Sequence, residues 1–239
     1  MTRWTLPLVA LVGAAVGGVA IWAYDRHAAP QGVERAQIES VVHDYVLTHP
    51  EILPEAMQKL QDRESGKAVA ANLPAITTPF GSAWIGNPKG DVTLVEYFDY
   101  NCGYCRASLP TIARLVAKDP NLRVVFRELP VLSPQSRTAA RVSLAAAQQG
   151  KFAQFHDALY AAGPVSDATI ASAASAAGID QRQAAGFDKT ADAEIAKNME
   201  TAGKLGVTGT PSWVVGDRVL SGALPLDELE KAVAAARAG

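Results

Sequence analysis

Apolar and polar positions along this chain change period several times, and each change marks a new element. The first stretch has no period: from Leu6 to Tyr24 the chain carries no charge, between Arg3 on one side and Asp25 and Arg26 on the other. That length is close to the roughly 20 apolar residues that carry a helix across a bilayer, and longer than the about 7 to 15 of a signal-peptide core. Trp4, Trp22 and Tyr24 lie near its ends, where amphipathic aromatics settle at the headgroup level. Residues 1–28 are therefore expected to be a membrane anchor. A cleaved signal segment is the alternative; the candidate cleavage stretch, "RHAAPQG", follows charges.

After the short linker "AAPQG" the period becomes helical. Ile38, Val41, Val42, Tyr45 and Val46 fall at i, i+3, i+4, i+7 and i+8; Pro50 ends that helix, and Ile52, Leu53, Ala56, Met57 and Leu60 make a second stripe. Two helices of this size bury little between them, so each stripe needs a partner surface. Residues 29–66 are expected to form a short amphipathic helical segment that either folds back on the main domain or pairs with copies of itself through residues 34–65. "GKAVAANLPAITTPFGSAWIGNPKGD" is rich in Gly, Pro, Ala and Thr and keeps no period, which predicts a linker over 67–88 with one edge strand.

At Val92 the pattern sharpens. "VTLVEYFDY" is a β-branched and aromatic strand run, "CRASLPTIARLVAKDP" has Leu109, Ile112, Leu115 and Val116 at helical spacing, and "LRVVFRELP" is a second strand. Strand, helix and strand in that order make a βαβ unit and a parallel pair. From about 133 to 205 the chain is Ala-rich and helical, after which "VTGTPSWVVGDRVLSGALP" predicts a turn with two short strands and "LDELEKAVAAARA" a closing amphipathic helix. The order is that of an α/β domain over 89–239 with a helical insertion.

Composition narrows the function. The 239 residues are 49% apolar with a net charge of -2, so no excess of Lys and Arg exists to bind phosphate, and nucleic acid is not an expected partner. Cys102 and Cys105 are the only cysteines, too few for a disulfide scaffold. A structural zinc site needs about four ligands, and His27, His43, His49 and His156 add no second close pair, so no metal is expected. A structural disulfide between residues three apart closes too small a loop to stabilise much. The redox reading gives each part a task. Cys102 stands where strand gives way to helix, and there free N–H groups and the helix dipole favour a thiolate, the attacking species. Cys105, one turn on, is placed to resolve the mixed disulfide, and Gly103 and Tyr104 between them tune the redox potential. Glu96, an acid within an apolar strand, is either a buried proton holder or a solvated edge residue. His156, among apolar neighbours in "FAQFHDALY", is expected to be a packing or capping residue.

"CGYC" after "VTLVEYFDY", with "GVTGTPSWVV" about a hundred residues later, resembles the thioredoxin fold in its DsbA-like version, whose helical domain is inserted in the middle. The resemblance implies that Pro211 is cis and that Thr210 and Pro211 form a substrate-facing loop against the redox pair. It also implies that Glu96, six residues before Cys102, assists proton transfer. "CGYC" and the Thr before the proline are more similar to disulfide isomerases such as DsbC and the suppressor-of-copper-sensitivity C proteins than to DsbA, which has Pro-His between its cysteines. "IESVVHDYVLTHPEILPEAMQKLQ" resembles the N-terminal helical extension of the latter proteins, some of which oligomerise. The expected function is a thiol:disulfide oxidoreductase that forms or isomerises disulfides in cysteine-containing client proteins. It needs no organic cofactor, because the dithiol carries the two electrons. A membrane redox partner restores the pair, and the site is the periplasmic face of the inner membrane. A dithiol reductant for an apocytochrome or metalloprotein, and a copper-binding or chaperone-like protein, are the alternatives.

Overall fold

In chain order the computed structural model, which describes residues 18–19, 21–23 and 33–238, begins with helices α1 (Val33–Thr48) and α2 (Ile52–Thr77). Strands β1 (Trp84–Gly86) and β2 (Val92–Phe98), helix α3 (Gly103–Lys118) and strand β3 (Leu122–Glu128) follow. The helices α4 (Pro134–Gln148), α5 (Phe152–Ala161), α6 (Asp167–Ala176), α7 (Gln181–Ala185) and α8 (Asp188–Lys204) fill the stretch expected to hold the insertion. β4 (Ser212–Val215), β5 (Arg218–Ser221) and α9 (Leu226–Ala238) complete the chain. The anchor or signal segment expected over 1–28 lies, but for residues 18–19 and 21–23, outside the described residues. No helix among the described residues is long and apolar enough to cross a membrane.

β2 sits at the centre of the sheet. All of its residues but Thr93 are buried, as a strand covered on both faces requires. It pairs in parallel with β3, from Val92 opposite Leu122 to Phe98 opposite Glu128, and antiparallel with β4. β1 and β5 close the two edges, in the order β1-β3-β2-β4-β5. Strand alternation sorts the core into two layers. Leu94, Phe98, Val124, Phe126 and Trp213 face α3, α9 and the inserted helices, and Val95, Tyr97, Val125 and Val214 face α2 and the end of α8. Many contacts of the insertion are made by alanines, among them Ala139, Ala140, Ala146, Ala173 and Ala174, whose small side chains let helices approach closely.

The chain divides into two units, Met1–Gln58 and Lys59–Gly239. The first holds α1 and the start of α2, where Ile38, Val41, Val42, Tyr45, Leu53 and Met57 are all exposed. In the second unit the linker expected over 67–88 needs correction, because residues 67–77 are the last turns of α2. Gly66 and Pro74 suggested a break that does not occur. Gly66 faces the β4–β5 turn, where an added Cβ would meet the Asp217 carbonyl at 3.4 Å, an ordinary van der Waals distance, and the helix runs through it. Pro74 falls in the last turn, and Val69 and Ile76, seven residues apart on one face, are buried on the sheet. The end of α2 is held by Arg127 of β3, whose guanidinium donates to the carbonyls of Ile76 (3.1 Å), Ala75 (2.6 Å) and Thr78. A cation suits a helix C-terminus, where the last carbonyls have no partner within the helix. Arg127 also pairs with buried Glu194 at 2.7 Å.

Candidate active site

The end of β2 and the start of α3 are joined by "DYNC", and a single carboxylate shapes this turn. Asp99 Oδ1 accepts the N–H of Asn101 at 2.8 Å, and Oδ2 accepts those of Val131 (2.9 Å) and Leu132 (3.0 Å), just after β3. The Asp99 carbonyl accepts the N–H of Cys102 at 3.0 Å. Cys102 is thereby fixed as the N-cap of α3, with extended backbone angles, and its Sγ accepts the N–H of Cys105 at 3.4 Å. Both cysteines are free thiols and both are buried, Cys105 the more deeply.

From the other side the loop before β4 meets them. The Cys102 thiol donates to the carbonyl of Thr210 at 3.2 Å, and the Thr210–Pro211 peptide is cis. The Thr210 hydroxyl is buried with no hydrogen-bond partner. Gly103 and Tyr104 stand at the surface: Tyr104 is 70% exposed, and a Cβ at Gly103 would meet nothing within 4 Å. A cavity of about 420 Å³ opens beside Cys102, lined by Tyr100, Asn101, Arg106, Gly163 and Pro164. Arg106 donates to the carbonyls of Tyr160 and Gly163 and lies 5.4 Å from the centre of the Tyr160 ring, tying α3 to the end of α5.

Beneath the thiols lies Glu96. It is 1% exposed on the central strand, between β3 and β4, so it is not an edge residue. Burial, with the nearby Cys102 adding to it, pushes its carboxyl well above the usual carboxylate range. Burial also pushes the Cys105 thiol up strongly, and a charge on Glu96 would push it further. A second buried acid, Glu128, was not singled out from sequence, because it precedes Leu129 and Pro130 at what resembles an exposed strand end. It shares the face of Phe126 and Val124, two and four residues back, and strand alternation alone could have found it. Burial raises its carboxyl as well.

Tyr100, Ser143 and His156 form a polar group beside these acids. The Tyr100 hydroxyl lies 2.9 Å from Ser143 Oγ and 3.2 Å from His156 Nδ1. His156 does pack as expected, its ring centre 4.9 Å from those of Phe126 and Tyr160, but it is also hydrogen-bonded. Burial holds its imidazole neutral, with the pKa pushed down to about 3. Asp99, Arg106 and Tyr100 were likewise not singled out from sequence. Only Asp99 carried a local signal, an Asp two residues before the N–H it accepts.

Comparison with known proteins places this geometry. Residues 93–234 match the DsbA-like thioredoxin domain, and residues 34–65 match the N-terminal domain of the copper resistance protein ScsC. The crystal structure of a thioredoxin-like oxidoreductase from Silicibacter pomeroyi DSS-3 is 41% identical, over 70% of this chain and 98% of that one, with a TM-score of 0.66. A linker-deletion mutant of Proteus mirabilis ScsC is 26% identical over 88% and 98%, with a TM-score of 0.67. The Na(+)/H(+) antiporter NhaA 1 of Salinispora arenicola is 32% identical over 159 residues, and the chain spans 24% of that protein's length. Because the family match runs from β2 into α9 and takes in the inserted helices, the chain belongs to the DsbA-like thioredoxin family.

Proposed function

We propose that Cys102 and Cys105 are the redox pair and that this protein forms or isomerises disulfides in client proteins. The observation that carries this is the placement of Cys102 Sγ at a helix start, between the Cys105 N–H and the Thr210 carbonyl. A sulfur nucleophile is what thiol–disulfide exchange requires, and the Cys102 sulfur stands at the helix start with a backbone N–H directed at it.

In isomerisation, Cys102 Sγ attacks one sulfur of a client disulfide. The new Cys102–client bond forms as the client S–S bond breaks, and the other client sulfur leaves as a thiolate. A different client thiolate then attacks the mixed disulfide and releases Cys102, so no net electrons move. In oxidation, the enzyme disulfide accepts two electrons from two client thiols and ends as the dithiol; a membrane redox partner takes those electrons back. Cys105 becomes a nucleophile only when its proton has a place to go. Glu96 supplies that place in the minority state where it is ionised, and a carboxyl raised by burial holds the proton well.

Thr210 and Pro211 are proposed to meet the client chain, an idea supported by the unpartnered Thr210 hydroxyl beside Cys102. Tyr104, Val131 and Leu132 are exposed apolar side chains on the same turn system and suit incompletely folded clients. Gly103 and Tyr104 are proposed to tune the potential through the conformation of the helix start. Residues 34–65 are proposed to join copies of the chain, supported by the exposed stripe there and the ScsC N-terminal match. The uncharged run from Leu6 to Tyr24 supports a periplasm-facing site, tethered through residues 1–28 or released by cleavage. The test is refolding of scrambled ribonuclease: wild-type protein accelerates it, and Cys102→Ala abolishes the acceleration. An unchanged rate in that variant sinks the proposal.

A further inference from the structure

The cavity beside Cys102 is one-sided in charge. Of the residues that line it, only Arg106 carries a permanent charge, and no acid pairs with it among the described residues. The acids around the redox pair are engaged elsewhere. Asp99 uses both carboxylate oxygens on the N–H groups of Asn101, Val131 and Leu132, and Glu96 is buried beneath the thiols, where burial favours its neutral form. Asp157, about one helical turn before Tyr160, lines a separate cavity farther along α3. A cation without a counterion on the wall of an open cavity suits an anion brought in by a ligand.

Arg106 is also held in place. Its Nη1 and Nη2 donate to the carbonyls of Tyr160 and Gly163, and the guanidinium lies 5.4 Å from the centre of the Tyr160 ring. Gly163 stands at φ 93°, a conformation that favours glycine, and this turn brings its carbonyl to the guanidinium. Two of the five guanidinium N–H groups are used in this way. The others have no protein partner among the described residues, which leaves enough for a two-pronged bond to a carboxylate. A side chain that is already fixed loses little freedom on binding, unlike a mobile surface cation.

The reach is set by α3. Arg106 follows Cys102 by four residues and its backbone N–H donates to the Cys102 carbonyl at 3.1 Å, so the two side chains start from one face, about 6 Å apart. An extended client chain advances about 3.3 Å per residue, which brings the residue one or two positions from its attacked cysteine to Arg106. We propose that Arg106 is a specificity residue: it binds a client carboxylate one or two residues from the cysteine that Cys102 attacks, so that disulfides flanked by Asp or Glu are preferred. No bond to the carboxylate forms or breaks; it holds the client disulfide against Cys102 Sγ. The effect on rate rests on the redox reading of Cys102 and Cys105, whereas the preference in binding does not.

The test uses matched peptides with Glu, Gln or Lys beside a cysteine. In one set serine replaces the cysteine, and affinity for the protein is measured by fluorescence anisotropy. In the other the cysteine is in a disulfide, and its attack by the reduced protein is followed by acid quenching and mass spectrometry. The Glu peptide is expected to bind about fivefold more tightly than the Gln peptide, and the Lys peptide more weakly than either. Arg106→Gln is expected to erase the ratio, and Arg106→Lys, which keeps the charge without the fork, to retain part of it. An arginine that is only a strut between α3 and α5 predicts equal losses for all three peptides in Arg106→Gln. The wild type supplies a check that needs no variant, since the preference for Glu is expected to shrink as salt is raised. Equal binding of the Glu and Gln peptides to the wild type, a preference that survives in Arg106→Gln, or one indifferent to salt overturns the proposal. Disulfides left unattacked while Glu is still preferred in binding defeat the redox reading alone; disulfides attacked with no preference in binding or rate defeat the role of Arg106 alone.

Discussion

The sulfur of Cys102 lies 3.2 Å from the carbonyl oxygen of Thr210, a residue 108 positions away in sequence. The contact closes the site from the side opposite the helix start, so two distant segments define one nucleophile. Beside it, the Thr210 hydroxyl is buried with no partner. Leaving a polar group unpaired costs about 1–3 kcal/mol, and such a cost is retained where a ligand completes the bonding. Thr210→Val is therefore expected to raise stability by about 1 kcal/mol, read as the urea midpoint, while raising KM for a cysteine-containing peptide. Lower stability with unchanged KM would show that the hydroxyl has a structural task.

Glu96 and Glu128 make stability depend on pH in a definite sense. Their carboxyls are raised in the folded state above the usual 4.5, so the folded protein holds the extra protons. The stability they contribute is complete below that usual value and is lost as pH rises through the raised folded values. Glu96→Gln combined with Glu128→Gln is expected to flatten this decline, so that the double variant gains on the wild type between weakly acidic and alkaline pH. Urea midpoints measured across that range provide the check, and parallel curves would contradict the assignment. Glu96→Gln alone is also expected to slow the step in which Cys105 attacks, by about tenfold or more.

His156 acts in the opposite direction. Its imidazole is pushed down from 6.5 to about 3 by burial, so the folded protein holds fewer protons than the unfolded chain. The stability it contributes is present above 6.5 and is lost as pH falls toward 3. His156→Phe should therefore resist acid better than the wild type when each is compared with its own stability at pH 7, measured by circular dichroism through an acid titration.

Arg127 and Glu194 form a buried pair at 2.7 Å that also seals the end of α2. Removing one partner of a buried pair costs about 3–5 kcal/mol, because the other charge is left alone. Glu194→Ala is expected to fall in that range. Arg127→Met should in addition expose the amides of residues 67–77 to hydrogen exchange, since the carbonyls of Ala75, Ile76 and Thr78 lose their donor. Protection of that segment equal to wild type would show that packing of Val69 and Ile76 alone holds it.

Self-association through residues 34–65 has its own test. Val42 is 56% exposed in the apolar stripe of α1, and Val42→Glu places a charge within that stripe. Light scattering is expected to find the wild type larger than a monomer and the variant monomeric, with insulin reduction unchanged. A monomeric wild type rules out this surface as an assembly device.

What the sequence made legible was local. The run from Val92 to Pro130 carries its own periodicity, turn and helix start, so β2, α3, β3 and the two cysteines could be placed from neighbours in the chain alone. What it concealed depends on partners far away. Gly66 and Pro74 look like breakers until the burial of Val69 and Ile76 on the sheet and the grip of Arg127 on the helix end are seen. Glu128 looks like a solvated strand end until the inserted helices cover it, with Ser143 beside its carboxyl. His156 carries apolar neighbours in sequence, and only the fold brings Tyr100, 56 residues earlier, to its ring.

The grip of Arg127 on α2 decides where the oxidoreductase unit can be cut from whatever precedes it. A chain severed at the start of β1 would strand a buried cation with its carbonyl acceptors gone, whereas severing near Lys59 leaves the seal intact. The unit thus carries its own stopper, and a shortened protein that keeps it must begin before the last turns of α2.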